Sequence, residues 1–335
     1  MTASSAGSPG DRGRSASAMP GDTVAVVVTH RRRRLATKLV HSLLLDEGFP
    51  PDQVTLVIDR DGGLEDPSLE AAVRVVRLAV NSGPAAGFRA GLDASFDDPS
   101  VRYAYLCEDD VGLMGLPVPR VADLRAEVDA YERRTGRRVG AVLAYGRRFG
   151  RRGGTTAPFL PDPDGPRLQP VDVGSWGALL VSRRVHDAGI RPDDSWFFAY
   201  EDFDYYLRIR QAGFAVLIDR DSGLATAAAT STLAGRSTAF RAERPDDTVE
   251  PWRAYYVARN MFELARRYGD LRWVGWHLVY SMRRFQLAAS WSERRALLLG
   301  LRDGVLRRSG RNERYVRVLS ELAGHRSTRN ADIGS

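Results

Sequence analysis

Runs of consecutive apolar residues, rich in β-branched side chains, alternate with amphipathic stretches along the first half of the chain. Thr23–Thr29 (TVAVVVT) has no charged position, the pattern of a strand covered on both faces. Residues 35–47 (LATKLVHSLLLDE) carry helical periodicity, and Val54–Ile58 is a second buried strand that ends at Asp59-Arg60-Asp61-Gly62-Gly63. Val73–Leu78 predicts a third strand, running into Asn81-Ser-Gly-Pro-Ala-Ala-Gly87. A helix over Phe88–Phe96 leads to a fourth strand, Tyr103–Cys107, which ends in Glu108-Asp109-Asp110. This alternation implies an α/β fold, a mostly parallel sheet flanked by helices and joined by right-handed crossovers. Ligands of such sheets bind beyond the carboxyl ends of the strands, where these acids stand.

Further on, the pattern predicts a helix near Pro119–Arg134, a strand near Val139–Ala144 and a Gly/Pro/Arg-rich loop over 147–166 (RRFGRRGGTTAPFLPDPDGP). Val171–Ser182 returns to strand character. In Ser195–Phe214 (SWFFAYEDFDYYLRIRQAGF), Phe203, Tyr206, Leu207 and Ile209 recur at helical spacing. They predict a helix over Glu201–Ala212 with Gly213 as its C′ residue. After Ile218 the chain reads as irregular (ATAAATSTLAGRST). From Pro251 it is helical again, through WRAYYVARNMFELARRYG, LRWVGWHLVYSMRRFQLAASW and a last basic helix to about Leu319. The expected organisation is a polar tail over 1–21, a catalytic domain over 22–250, a basic helical segment over 251–320 and a flexible tail over 321–335.

Composition narrows the class. Among 335 residues, 43% are apolar and 27% charged, ordinary for a globular protein, and no apolar run approaches the length of a membrane span. The N-terminal stretch lacks the apolar core of a secretory signal, so the expected location is the cytoplasm. A single cysteine, Cys107, excludes an internal disulfide and a cysteine-built zinc site. The net charge of +7 is concentrated: residues 251–320 hold 15 Arg against 5 Asp/Glu, which leaves about −3 for the rest. That segment suits an anionic surface or is simply a solvated helical face. No recognition motif accompanies it, so nucleic acid is not an expected partner.

The candidate chemistry lies in two acidic clusters far apart in sequence. Glu108-Asp109-Asp110 follows a buried strand directly. Adjacent carboxylates repel unless something positive stands between them, and a hard cation such as Mg2+ or Mn2+ would bridge them to a substrate diphosphate. Glu201, Asp202 and Asp204 fall in the first turn of their helix, after aromatics that would bury it, and a partly desolvated carboxylate is suited to general-base work. Both clusters also admit a bland reading, a solvated acidic turn and an ordinary helix start. There is no G-x-G-x-x-G, G-K-[ST], G-x-S-x-G or H-E-x-x-H pattern.

Taken in order, VAVVVTHRR, VTLVIDRDGG, NSGPAAGFRAG, YLCEDDV, VDVGSWGALLVSRRVHDAGI and FFAYEDFDYYLRIRQAGF resemble the family-2 glycosyltransferases of the GT-A fold over about residues 22–265. WRAYYVARNMFELARRYG is similar to the helix that follows the catalytic domain in rhamnosyl- and galactofuranosyl-transferase-like members. The resemblance implies an inverting, hexosyltransferase-type enzyme acting in polysaccharide or cell-wall assembly. Its donor would be a UDP-, dTDP- or GDP-linked sugar, and its acceptor a hydroxyl on a glycan, a lipid-linked intermediate or a natural product. It also assigns roles. Asp59 would hold the base, with Thr29 and His30 lining the same pocket. Asn81, Gly83, Gly87 and Arg89 would wrap the nucleotide-sugar, together with Asp109. Glu108 and Asp110 would hold the metal, Asp202 would be the catalytic base, and Trp176, Trp196 and Glu201 would shape the acceptor site.

The chain departs from the family pattern at Glu108, where an aspartate is usual, and at Arg60 and Arg89, where asparagine is common. No histidine follows the strand after the base helix; Asp219 or Asp221 would have to replace it. The aromatics and arginines of 271–291 either meet an anionic membrane surface that presents a lipid-linked acceptor or pack on the catalytic domain. A sugar-phosphate nucleotidyltransferase would carry a Gly-rich phosphate loop with lysine after the first strand, and only arginines stand there. A non-catalytic protein that binds nucleotide-sugar or an anionic polymer is the alternative from another class.

Overall fold

The computed structural model describes residues 21–109, 121–150, 156–177, 179–228 and 251–315. Asp110 and most of both expected tails lie outside these. Among the described residues, eight strands form one sheet in the order β3-β2-β1-β4-β10-β5-β11-β8. Its left half is parallel: β1 (Thr23–Thr29) lies between β2 (Val54–Asp59) and β4 (Tyr103–Glu108), and β2 pairs with the edge strand β3 (Arg74–Leu78). β10 (Leu179–Ser182) runs antiparallel between β4 and β5 (Val139–Leu143), and β11 (Ala215–Asp219) is parallel to β5 and antiparallel to β8 (Leu168–Pro170). The α/β class, the mostly parallel sheet and the helical C-terminal segment are as expected from the sequence.

Alternation along β1 explains why its apolar run is continuous. Ala25 and Val27 point to one face, packed by α1 (Arg33–Leu45), α2 (Pro67–Ala72) and α4 (Val121–Thr135). Val24, Val26 and Val28 point to the other, packed by α3 (Pro84–Phe96), α5 (Arg183–Asp187) and α6 (Glu201–Gln211). α3 begins four residues earlier than its periodicity suggested, because Pro84 stands at N1, where its missing N–H is no loss. Helix and sheet approach closely at Gly87, where a Cβ would come within 2.6 Å of Val28 Cγ1.

Further expectations are corrected. The stretch 147–166 is not loop throughout: β6 (Gly146–Phe149) pairs with β7 (Thr156–Pro158) and β9 (Val173–Gly174), tied by the Arg147 guanidinium bonding Thr156. Val171–Ser182 is two strands, β9 and β10, interrupted where Trp176 turns into the core. The segment after Ile218 opens as a helix, α7, over 220–228. Asp219 starts it by accepting the Ser222 N–H at 2.9 Å, and its alanines sustain it. The remainder of that irregular stretch, 229–250, lies outside the described residues.

The C-terminal helices are α8 (Pro251–Tyr268), α9 (Leu271–Leu287) and α10 (Trp291–Val305). α10 does not run on toward Leu319: the chain turns back at Arg307 (φ 57°) and Gly310 (φ 79°). Tyr255, Tyr256, Ala296 and Leu297 form a separate apolar cluster with Phe197, so these helices close on the segment leading into α6.

Candidate active site

Because β1, β2 and β4 are parallel, Thr29, Asp59 and Glu108 emerge at the same edge of the sheet. A cavity of about 470 Å3 opens there, walled by His30, Asp59, Asn81 and Gly83 on one side and by Glu108 and Asp109 below. Asp59 is 3% exposed and accepts the backbone N–H groups of Ser82 (2.8 Å) and Gly83 (3.0 Å). Burial raises its pKa, which those two amides partly offset. His30 Nδ1 lies 2.6 Å from the Asp59 carbonyl and its Nε2 3.3 Å from Asn81 Nδ2, so Asp59, His30 and Asn81 form one linked wall.

The second cluster is bound more tightly than its charge alone suggested. Asp109 is buried, accepting the Thr29 hydroxyl at 2.8 Å and the Arg32 guanidinium at 2.9 Å. Arg32 therefore supplies part of the positive charge that the acidic run demands. Glu108 is half-buried on the cavity wall, and Asp110 lies outside the described residues. No group of three or more metal-ligating side chains occurs among the described residues. A hard cation bound chiefly through substrate phosphates needs only one or two carboxylates, and the oxygen donors at this edge fit that requirement.

α6 brings the third cluster. Glu201 is 4% exposed, and its Oε2 lacks a hydrogen-bond partner among the described residues. The Trp176 indole N–H faces this carboxyl without closing a well-formed bond. Desolvation holds the Glu201 pKa above the ordinary carboxyl range. Asp202 is raised as well, by desolvation and by the charges of Glu201 and Glu108. Asp202 and Glu108 thus share one electrostatic neighbourhood although they come from distant parts of the chain. Asp204 is different: fully buried, it takes Arg208 (2.8 Å), Arg267 (3.2 Å) and the Tyr268 hydroxyl (2.6 Å).

The turn before α6 is strained. Phe197 (φ 60°, ψ −53°), Ala199 (φ 67°) and Tyr200 (φ 68°) all have positive φ, and Phe198 N–H closes a γ-turn onto the Trp196 carbonyl at 2.8 Å. Each such residue costs about 1–3 kcal/mol and persists only where its surroundings over-determine it. The turn presents Phe197 and Phe198 to the cavity, and a Cβ at Gly83 (φ 84°) would overlap the Phe197 carbonyl.

Other predicted residues fall elsewhere. Trp176 is 2% exposed in the core, stacked on Phe88 at 4.7 Å. Trp196 is equally buried, beneath the Arg267 guanidinium. Gly87 serves helix–sheet packing, and Arg89 lies at the surface bonded to Asp194. Asp219 is consumed by Arg167 and Ser222, and Asp221 is exposed and paired with Arg220; neither lines the cavity. Sequence reading missed Phe197, Phe198, Trp252 and Arg253 as cavity walls, and Arg311, which donates to the Asn81 carbonyl at 2.9 Å. One signal was available: the polar pair Arg259-Asn260 interrupts the apolar run of α8. A cavity of about 530 Å3 near Arg137, Arg148 and Arg210 contains none of the predicted residues.

No family model matches the chain, and no curated protein matches it. Among solved structures it is similar to S. aureus TarS 1–349 (TM-score 0.47, 14% identity, covering 85% of this chain and 81% of that one). It is also similar to GalNAc-T7 crystallised with UDP, GalNAc and Mn2+ (TM-score 0.44, 11% identity), over 59% of this chain but only 42% of that longer one. A third likeness is to A197 from STIV (TM-score 0.33, 14% identity, 58% and 80%). At these values none of them assigns a role to a residue of this chain.

Proposed function

We propose that this protein is an inverting glycosyltransferase of the GT-A type, moving a sugar from a nucleotide-diphosphate donor to a hydroxyl acceptor. The observation that carries the reading is the convergence of sequence-distant groups at one sheet edge. The Asp59–His30–Asn81 wall and Glu108–Asp109 line one cavity, and Asp202, next to Glu201 and outside that lining, feels the charge of Glu108. The wall receives the nucleoside. Asp202, a strengthened base, takes the acceptor proton while the acceptor oxygen attacks the anomeric carbon; the bond to the diphosphate breaks on the opposite face, which inverts the centre. Glu108 and Asp110 would hold Mg2+ or Mn2+, which supplies Lewis acidity for the departing diphosphate. Phe197, Phe198 and Trp252 exclude water from the donor.

A lipid-linked acceptor at an anionic membrane fits the exposed apolar side chains of α9. Leu271, Trp276, Leu278, Val279, Tyr280 and Met282 are exposed, and α9 contains no acidic residue. Trp273, by contrast, packs on Phe149 at 4.8 Å. No described helix is long and apolar enough to cross a membrane. Co-sedimentation with anionic but not neutral vesicles is expected, and absence of binding to both removes the membrane from the proposal.

The main test is a thermal-shift screen of UDP-, dTDP- and GDP-sugars with Mn2+ or with EDTA, followed by an assay for released nucleoside diphosphate. A shift that needs metal and is lost in Asp110→Ala is the expected result. No shift with any donor overturns the transferase reading in favour of a binding protein of another class.

A further inference from the structure

The helix after the catalytic machinery contributes two buried polar residues to one place, the strained turn that launches α6. Asn260 Nδ2 donates to the carbonyls of Trp196 (3.0 Å), Phe198 (2.7 Å) and Ala199 (3.0 Å), so two hydrogens serve three acceptors. Arg259 donates to Asn260 Oδ1 (2.8 Å), the Trp196 carbonyl (2.9 Å) and the Gly310 carbonyl (2.6 Å). Its guanidinium is 2% exposed and lies 4.8 Å from the centre of the Tyr256 ring. No carboxylate of the described residues pairs with it.

A buried guanidinium without a counter-ion is an expensive choice, since an apolar side chain of similar volume packs as well or better. What the polar pair provides is partners for carbonyls that a γ-turn followed by left-handed residues leaves without a helical or strand ladder. The carbonyls it holds belong to residues 196, 198 and 199; Glu201 and Asp202 follow at once. The same pair reaches the donor side: Gly310, held by Arg259, also donates to the Ser195 carbonyl, and its neighbour Arg311 holds the Asn81 carbonyl.

We propose that Arg259 and Asn260 are positioning residues for transfer: they hold the 196–200 turn in the strained shape that sets Phe197 and Phe198 against the cavity and fixes where α6 begins, at Glu201 and Asp202. The inference rests on the glycosyl-transfer reading, but it has a readout that does not. The test uses the full chain with Asn260→Asp, which keeps shape and the bond from Arg259 but loses both donors. A second variant, Arg259→Lys, keeps charge but cannot reach three acceptors at once. Expected are faster amide exchange across 196–203, a kcat about 100-fold lower and a donor Kd within about threefold of the parent, because misplacement by an ångström slows chemistry more than it weakens binding. Unchanged exchange and kcat in the folded variants overturn the proposal. So does a loss of melting temperature with kcat intact, which would make the pair merely structural. If the parent protein transfers no sugar, the functional reading fails separately, and exchange across 196–203 alone decides the clamp.

Discussion

Helix α6 carries two kinds of acid within one turn. Asp204 is enclosed by Arg208, Arg267 and the Tyr268 hydroxyl, so its charge is matched and its role is to join α6 to α8. Glu201 and Asp202 are desolvated with no cation paired to them among the described residues, and the charge of Glu201 raises the energy of that of Asp202. Asp219 belongs with Asp204, satisfied by Arg167 and Ser222. A carboxylate buried with its counter-charge is architecture. One kept without it stores basicity, and that is where a proton can be moved.

The contrast can be broken most severely at Asp202. Asp202→Asn should lower transfer by about 10³-fold, within the range of general-base removal, while donor binding by calorimetry stays intact. The mirror experiment is Asp204→Asn, which strands two guanidinium groups. Opening a buried pair costs about 3 kcal/mol, read as a lower urea midpoint, with kcat at low temperature within a few-fold of the parent. Equal kinetic losses in both variants would erase the distinction between the two acids.

Stability against pH sharpens it further. A carboxyl whose pKa is raised on folding binds its proton more tightly in the native state. It therefore stabilises below the ordinary carboxyl pKa of about 4 and loses that contribution as pH rises through its folded value. In EDTA, Asp202→Asn should melt higher than the parent at pH 8, with the gap closing toward pH 4. A constant gap would mean that Asp202 is not strained by its charge.

His277 offers the smallest effect and a control outside the acidic pair. Buried in α9, with its Nε2 unpartnered among the described residues, it has a pKa lowered by desolvation from 6.5 to about 4. Its sign is opposite in pH: the contribution is present above 6.5 and lost as pH falls toward 4. His277→Leu should flatten the acid limb of the melting curve by a few degrees without changing kcat.

Much of the fold was written locally. The runs 23–29, 54–58 and 103–107 could be read as buried strands because both faces of a parallel sheet are covered, and the acids at their ends followed from strand direction. The 147–166 strands were not legible, since their pairing depends on Arg147 reaching across a hairpin and not on an apolar pattern. The resemblance gave Trp176 and Trp196 a part in shaping the acceptor site. The structure spends both on packing and gives the wall to Phe197, Phe198 and Trp252.

The sequence by itself determined the alternation of strands and helices, the edge at which acids gather and the presence of two acidic clusters. Periodicity and strand direction are local properties, and they survive without knowledge of the rest of the chain. Only the tertiary structure decided which acids are compensated, because a counter-charge such as Arg267 or Arg167 arrives from a distant element. It also decided that the turn before Glu201 is strained and that Arg259 and Asn260 hold it. Positive φ at Phe197, Ala199 and Tyr200 is not a propensity of those residues but a shape imposed by contacts some sixty positions away along the chain.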